Sequence, residues 1–223
     1  MTTPTVKRWP PTEPPRAACG LRRSEVGDGL HVGLILNLDQ RPPFVLHMAW
    51  HQREHVVELP ERAHWWVVVP NLDADEQKEL AQHARVARER LKDHRLPFGL
   101  CAQGARLTPR GEVKLGGANS LNCVTFVQML FRAANLTLMH EPRPDDLTEE
   151  RSAEDRAAQE RLVDALQLDD PDQAARLRME IGAPRVRPEE VAAASGMANR
   201  PVPFAEAARA GVKVRQTVVG RRG

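Results

Sequence analysis

A glycine-rich loop, Gly116-Gly117-Ala118-Asn119-Ser120-Leu121-Asn122, runs into Cys123-Val124-Thr125-Phe126-Val127, and the remainder of the chain has to fold around that junction. Val124, Val127, Leu130, Phe131 and Ala134 recur at threes and fours, which predicts a helix with one face in the core, ending near Asn135. Ser120 or Asn122 can cap it, and either choice leaves Cys123 in the first turn. Unpaired N–H groups and the positive end of the helix dipole favour a thiolate there. A small core cysteine at a helix start fits the same stretch, because free cysteines are commonly buried.

The segments before the loop predict an antiparallel sheet. Leu30 to Leu38 is short, branched and apolar, as a buried strand is, and a turn over Asp39 to Pro43 leads into a partner over Phe44 to Trp50. Val56 to Leu59 and Trp65 to Val69 read as two more strands. Asn71 to Asp93 is a charged helix with a thin stripe of Leu72, Leu80, Ala84, Ala87 and Leu91. Residues 1–24, with Pro4, Pro10, Pro11, Pro14 and Pro15, read as a disordered, Pro/Arg-rich arm. The sheet and the Cys123 helix define a domain over 25–140. Residues 141–223 form a helical extension: a solvated acidic helix within Asp145 to Asp172, one over Pro171 to Gly182, one over Pro188 to Gly196, and a basic tail that frays after Gly211.

Charge and cysteines exclude several classes. The 32 Lys and Arg against 30 Asp and Glu give a net charge of +2, and the basic tail lacks interleaved aromatics, which argues against a nucleic-acid partner. Three cysteines, Cys19, Cys101 and Cys123, have no disulfide or zinc spacing. No apolar run approaches the ~20 residues needed to cross a bilayer, and Met1 to Arg23 has no signal-peptide core. The expectation is a chain made in the cytoplasm, working there or delivered outside by a signal-peptide-independent secretion system.

A thiol nucleophile needs a base within hydrogen-bond reach and a group that fixes the base. His31 and His47 lie on the first two predicted strands and can share a sheet face if these pair as a hairpin. A strand-end histidine meeting water and a satisfied core histidine are the plainer alternatives. His51-Gln52-Arg53-Glu54-His55 fits an inverted zinc pattern, but its strand-like flanks put the two histidines too far apart for one ion at ~3.3 Å per residue, so no metal or other cofactor is expected. Trp65 and Trp66 can line a substrate groove or fill the core.

Taken together, His31-Val32-Gly33-Leu34-Ile35-Leu36, Val45-Leu46-His47-Met48-Ala49 and Asn122-Cys123-Val124-Thr125-Phe126-Val127 resemble the permuted NlpC-type papain-like cysteine hydrolases, in the branch that includes lecithin–retinol acyltransferase. The likeness spans about half the chain, with the histidine strand ahead of the cysteine helix and an Asn-Cys-x-x-Phe-Val box. It departs in the residues added over Asp39 to Pro43 and in Thr125, where animal members often carry histidine. The resemblance implies an α+β fold with an antiparallel sheet packed on the nucleophile helix. It also implies Cys123 as nucleophile, His31 as base and His47 as the residue orienting the ring. The implied chemistry is acyl transfer through a Cys123 thioester, with the Cys123 N–H as an oxyanion donor and Asn122, Asn119 and Trp65 as further oxyanion or substrate contacts. The expected substrate is an amide in a peptide such as bacterial cell-wall stem peptide. The alternatives are a lipid or thioester acyl group, or a non-catalytic binding module that docks a protein partner through 141–223.

Overall fold

The computed structural model describes residues 4–26, 29–38, 42–53, 55–59, 63–92, 94–100, 105–115 and 120–220. The expectations resting on Gly27, Asp28, Asp39, Glu54, Cys101, Asn119 and the Gly116-Gly117 loop lie outside them.

The fold is α+β, an antiparallel six-stranded sheet with six helices. The strands are β1 (Val6–Arg8), β2 (Ala17–Arg23), β3 (Leu30–Leu36), β4 (Phe44–Leu46), β5 (Val56–Glu58) and β6 (Trp66–Val68), in the spatial order β1-β6-β2-β3-β4-β5. The predicted hairpin is present as the β3–β4 pair, Leu34 opposite Leu46 through Leu36 opposite Phe44. It is shorter than expected, because the chain turns after Leu46 and reaches Gln52 with φ 50°.

The disordered arm is corrected. β2 is a central strand, paired with β3 over its whole length and with β6 on the other side, and Ala17 to Leu21 are buried. The prolines interrupt only the connection from β1; beyond them Ala17, Ala18, Cys19, Gly20 and Leu21 are small or apolar enough to lie between two layers.

Alternation along the strands separates the two faces. Leu30, Val32, Leu34 and Leu36 join Cys19, Leu21, Leu46 and Val68 under the helices, while Ile35, Val45, Ala18 and Val67 form a smaller cluster with Trp9, Leu59 and Trp65 on the other face. Helix α1 (Ala74–Leu91) starts at Asp73, whose carboxylate accepts from the Asp75 and Glu76 N–H groups, and buries the expected stripe. A small hairpin, β7 (Arg106–Leu107) with β8 (Val113–Lys114), precedes α2 (Cys123–Ala133).

The boundary expected at 140 is not a packing boundary. The extension consists of α3 (Glu149–Asp169), α4 (Pro171–Arg178), α5 (Pro188–Ser195) and α6 (Phe204–Gly220), and its buried apolar residues belong to the same core as the sheet. α5 is buried along its length against β2, β3, α2 and α6. As far as Gly220 the tail does not fray, because Val214 and Val218, one helical turn apart, seat α6 in the core. Nor is the acidic helix merely solvated: α3 turns Asp155, Gln159, Val163 and Leu166 inward. Arg151 Nε donates to Asp155 (2.8 Å), its Nη1 and Nη2 donate to the two Glu190 oxygens, and Arg187 Nε donates to Asp155 (2.9 Å). Among the described residues no helix is long and apolar enough to cross a membrane.

Both carboxylates of this network are buried, so removing one cation leaves a charge with too few partners. Arg151→Met is therefore expected to destabilise the protein by about 3–5 kcal/mol, read as a lower midpoint in urea denaturation. A change under ~1 kcal/mol would show the network to be a screened surface arrangement.

Candidate active site

Asn122 is the N-cap of α2. Its Oδ1 accepts from the Thr125 N–H (2.9 Å), and Thr125 Oγ1 accepts from the Asn122 N–H (3.0 Å). This closes a reciprocal box in which threonine replaces the usual Glu or Gln, and it fixes Cys123 as the first residue of the helix. The Asn122 Nδ2 donates to the Leu100 carbonyl (2.9 Å), so the amide oxygen and one of its two N–H groups are committed to structure. These bonds make Asn122 the residue that positions the cysteine, the capping role open to it in the sequence. The approach to the helix passes close to Gly99, where a Cβ would stand 1.9 Å from Ser120 Oγ, and the Phe98–Leu121 bridge depends on that missing side chain.

β4 pairs with β3 only from Leu34–Leu46 to Leu36–Phe44, and the Val32 N–H acts on the Cys123 thiol in the direction that favours its ionised form. Burial pushes the thiol's pKa up from its ordinary value, against the opposing pull of the Val32 N–H, Arg185 and the N–H groups of Val124 and Cys123 itself. The expectation of a thiolate at the helix start is therefore corrected. The N–H groups at the helix start act in the expected direction, but desolvation outweighs them and favours the protonated thiol.

His31 and His47 share one face of the sheet, as the hairpin reading anticipated, and are hydrogen-bonded, His31 Nε2 to His47 Nδ1, at 2.7 Å. Their rings meet edge to face (78°), and Trp65 packs against both with centroids 6.0 and 5.9 Å away. Trp65 thus backs the imidazole pair from within the smaller core cluster, which corrects its expected place in a substrate groove. Burial, then the neighbouring His47 and Arg22, hold His31 well below the ordinary histidine pKa; burial and Arg22 lower His47 to about 3. Two neutral imidazoles share one bond, in which one nitrogen donates and the other accepts.

The site residues are brought together unevenly. His31 and His47 bond directly. Cys123 packs with the helix-side core and His31 with the Trp65 face, yet both border one cavity of about 110 Å³ at the end of β3 where the faces meet. The Leu96–Leu100 loop supplies Phe98, Gly99 and Leu100 to its wall, as its position before Cys123 suggests. The extension adds Arg161, Leu162, Arg185 and Val186. Local pattern gave no signal for these, because a cavity wall drawn from distant helices and linkers leaves no periodicity.

The residues of the zinc-like pattern are occupied separately. His51 Nδ1 accepts from the Phe98 N–H (3.2 Å) and its Nε2 meets Asp170 Oδ2 (3.1 Å), whereas His55 Nε2 accepts from the Leu96 N–H (3.3 Å). His51 lies in a turn rather than on a strand. Among the described residues no group of three or more His, Cys, Asp and Glu is arranged to hold a metal. Comparison with protein-family models, curated proteins and solved structures finds no match to this chain.

His31, His47 and His55 are all neutral when folded, His55 lowered to about 4 chiefly by burial, whereas each takes up a proton near 6.5 when unfolded. Their contribution is complete above pH 6.5 and is lost as the pH falls below it, by up to ~1.4 kcal/mol per pH unit for each ring. Denaturation midpoints are expected to be level from pH 8 to 7 and to fall steeply between about pH 6.5 and 4. His55→Gln, which keeps an acceptor for Leu96, is expected to make that fall shallower, and an unchanged slope would contradict the assignment for His55.

Proposed function

We propose that this protein is a cysteine hydrolase of the permuted papain-like kind, acting by acyl transfer through a thioester on Cys123. The observation that carries the reading is the 2.7 Å His31–His47 bond at a cavity that His31 shares with a cysteine fixed at the first position of a helix. The bond engages His31 Nε2 and leaves Nδ1 as the other basic nitrogen. For Nδ1 to accept a proton, Nε2 must carry its own and donate it to His47 Nδ1, which puts the His47 proton on Nε2.

The mechanism starts from a protonated thiol and a neutral imidazole. In the catalytic geometry His31 takes the thiol proton as the sulfur attacks the carbonyl carbon, and the Cys123 N–H donates to the developing oxyanion. His31 then delivers the proton to the leaving nitrogen, and the C–N bond breaks. Water, activated by the same imidazole, adds to the thioester, and the acid leaves as the thiol is restored. His47 holds the His31 ring in the required tautomer, as the third member of a triad does. The bond cleaved is an amide in a peptide, with cell-wall stem peptide the type the resemblance implies. One observation favours a second reading, a lipid or thioester acyl group: the cavity wall includes Leu30, Met48, Trp50, Phe98, Leu162 and Val186.

Mass spectrometry of an acylating probe tests the reading. Wild-type protein is expected to be acylated at Cys123 about 10²–10⁴-fold faster than His31→Ala, the range for loss of a general base, and Cys123→Ser should lose thioester formation. Amide and thioester probes run side by side separate the two substrate classes. Equal rates in wild type and His31→Ala would remove the enzyme reading and leave a binding module.

A further inference from the structure

The imidazole pair also faces a second, larger space. On the Trp65 side of the sheet a groove of about 810 Å³ is lined by Arg22, Arg53, Arg95, His31 and His47, with Trp50 at its wall. Arg53 and Arg95 form no ion pair among the described residues. Arg22 Nε and His47 Nε2 are buried polar atoms with no hydrogen-bond partner there, and His47 is only 3% exposed. Buried polar atoms without partners are uncommon and call for a reason. Among the described residues the groove has two carboxylates, and they offset the cations only in part. Glu25 pairs with Arg22 (3.0 Å) through a side chain 78% exposed, and Asp169 accepts from the Trp50 indole (2.8 Å).

We propose that this groove is an anion site for a phosphate-like dianion, held by the guanidinium groups of Arg22, Arg53 and Arg95 with the His47 Nε2–H as a donor at its floor. Planar guanidinium forks suit a tetrahedral oxyanion, which offers several acceptors at once. Glu25 is a surface carboxylate competing for Arg22. Bound there, the anion acts on the imidazole pair: by accepting from His47 Nε2–H it leaves His47 Nδ1 as the acceptor for His31 Nε2–H, and His31 Nδ1 keeps its lone pair. The His47 Nε2–H donor and this coupling rest on the hydrolase reading; the three guanidinium groups do not.

Calorimetry with inorganic phosphate on full-length Cys123→Ser, which cannot form the thioester, tests the site apart from the chemistry. The expected Kd is about 1 mM or tighter, with acetate at least about tenfold weaker. Joint replacement Arg53→Gln/Arg95→Gln is expected to weaken phosphate by about tenfold or more, and Glu25→Gln to tighten it a few-fold. Glycerol 3-phosphate binding as well as phosphate would identify an esterified ligand, and a preference for phosphate a free one; both support the site. Binding that is absent, equalled by acetate, or indifferent to the arginine pair overturns it. In long-range ¹H–¹⁵N spectra phosphate is expected to fix the His47 proton on Nε2. Phosphate binding that leaves the His47 nitrogens unmoved overturns the coupling.

Discussion

The close pairing of β2 with β3 sets everything else, and at its middle Gly20 stands opposite Gly33. A Cβ on Gly20 would come within 2.6 Å of Ile35 and 2.9 Å of Trp65, and one on Gly33 within 2.6 Å of Val45 and 2.9 Å of the His47 Cβ. Real side chains do not approach so closely, so these two glycines make the space in which Trp65 and His47 lie against the sheet. The same register puts Arg22 opposite His31 and Cys19 opposite Leu34. One ladder thus delivers the groove's cation to the imidazole pair on one face and the helix-side core on the other.

Burial is the second controlling term, and at this site it wins over charge. Cys123 has four sources of stabilisation for a thiolate (three backbone N–H groups and Arg185), yet desolvation keeps the proton on sulfur. The histidines are likewise neutral, with Arg22 adding to the burial that already disfavours their cations. A resting thiolate–imidazolium pair is therefore not the species the surroundings favour. A neutral imidazole is a competent base only in the correct tautomer, which makes the direction of the His31–His47 bond the controlling variable for the proposed chemistry.

Legibility in the sequence followed how local each cause was. The β3–β4 hairpin, α1 with its apolar stripe and α2 with its Asn122 cap were readable, because alternation, threes-and-fours spacing and capping chemistry operate within a few residues. β2 was not, since Ala17-Ala18-Cys19-Gly20-Leu21 lacks the branched residues that announce a strand and follows five prolines. α3 read as solvated because the groups it buries include Asp155 and Gln159, whose partners include residues more than twenty positions away. In α6 the cations mask a two-residue anchor. At the site, the cysteine and both histidines were legible, whereas Arg161 and Arg185 were not. A guanidinium brought to a cavity by tertiary packing carries no mark of that in its neighbours.

The extension belongs to the site physically, through more than the cavity wall. Three polar contacts join its α3–α4 corner to the loops around Cys123: the Trp50 indole donates to Asp169, His51 meets Asp170, and the Gln173 amide donates to the Phe98 carbonyl (2.8 Å). Asp170 also caps α4 by accepting from the Gln173 N–H (2.9 Å), so a single carboxylate ties a helix start to a histidine in the turn after β4. That histidine in turn accepts the Phe98 N–H, and Gly99, the next residue, bonds through its N–H to the carbonyl of Leu121, two residues before the cysteine. Each step is an ordinary hydrogen bond of modest net worth, but in series they fix the loop against which α2 begins. The position of the sulfur is thus set from two directions, by Asn122 within its own helix and by the extension through the Phe98 loop.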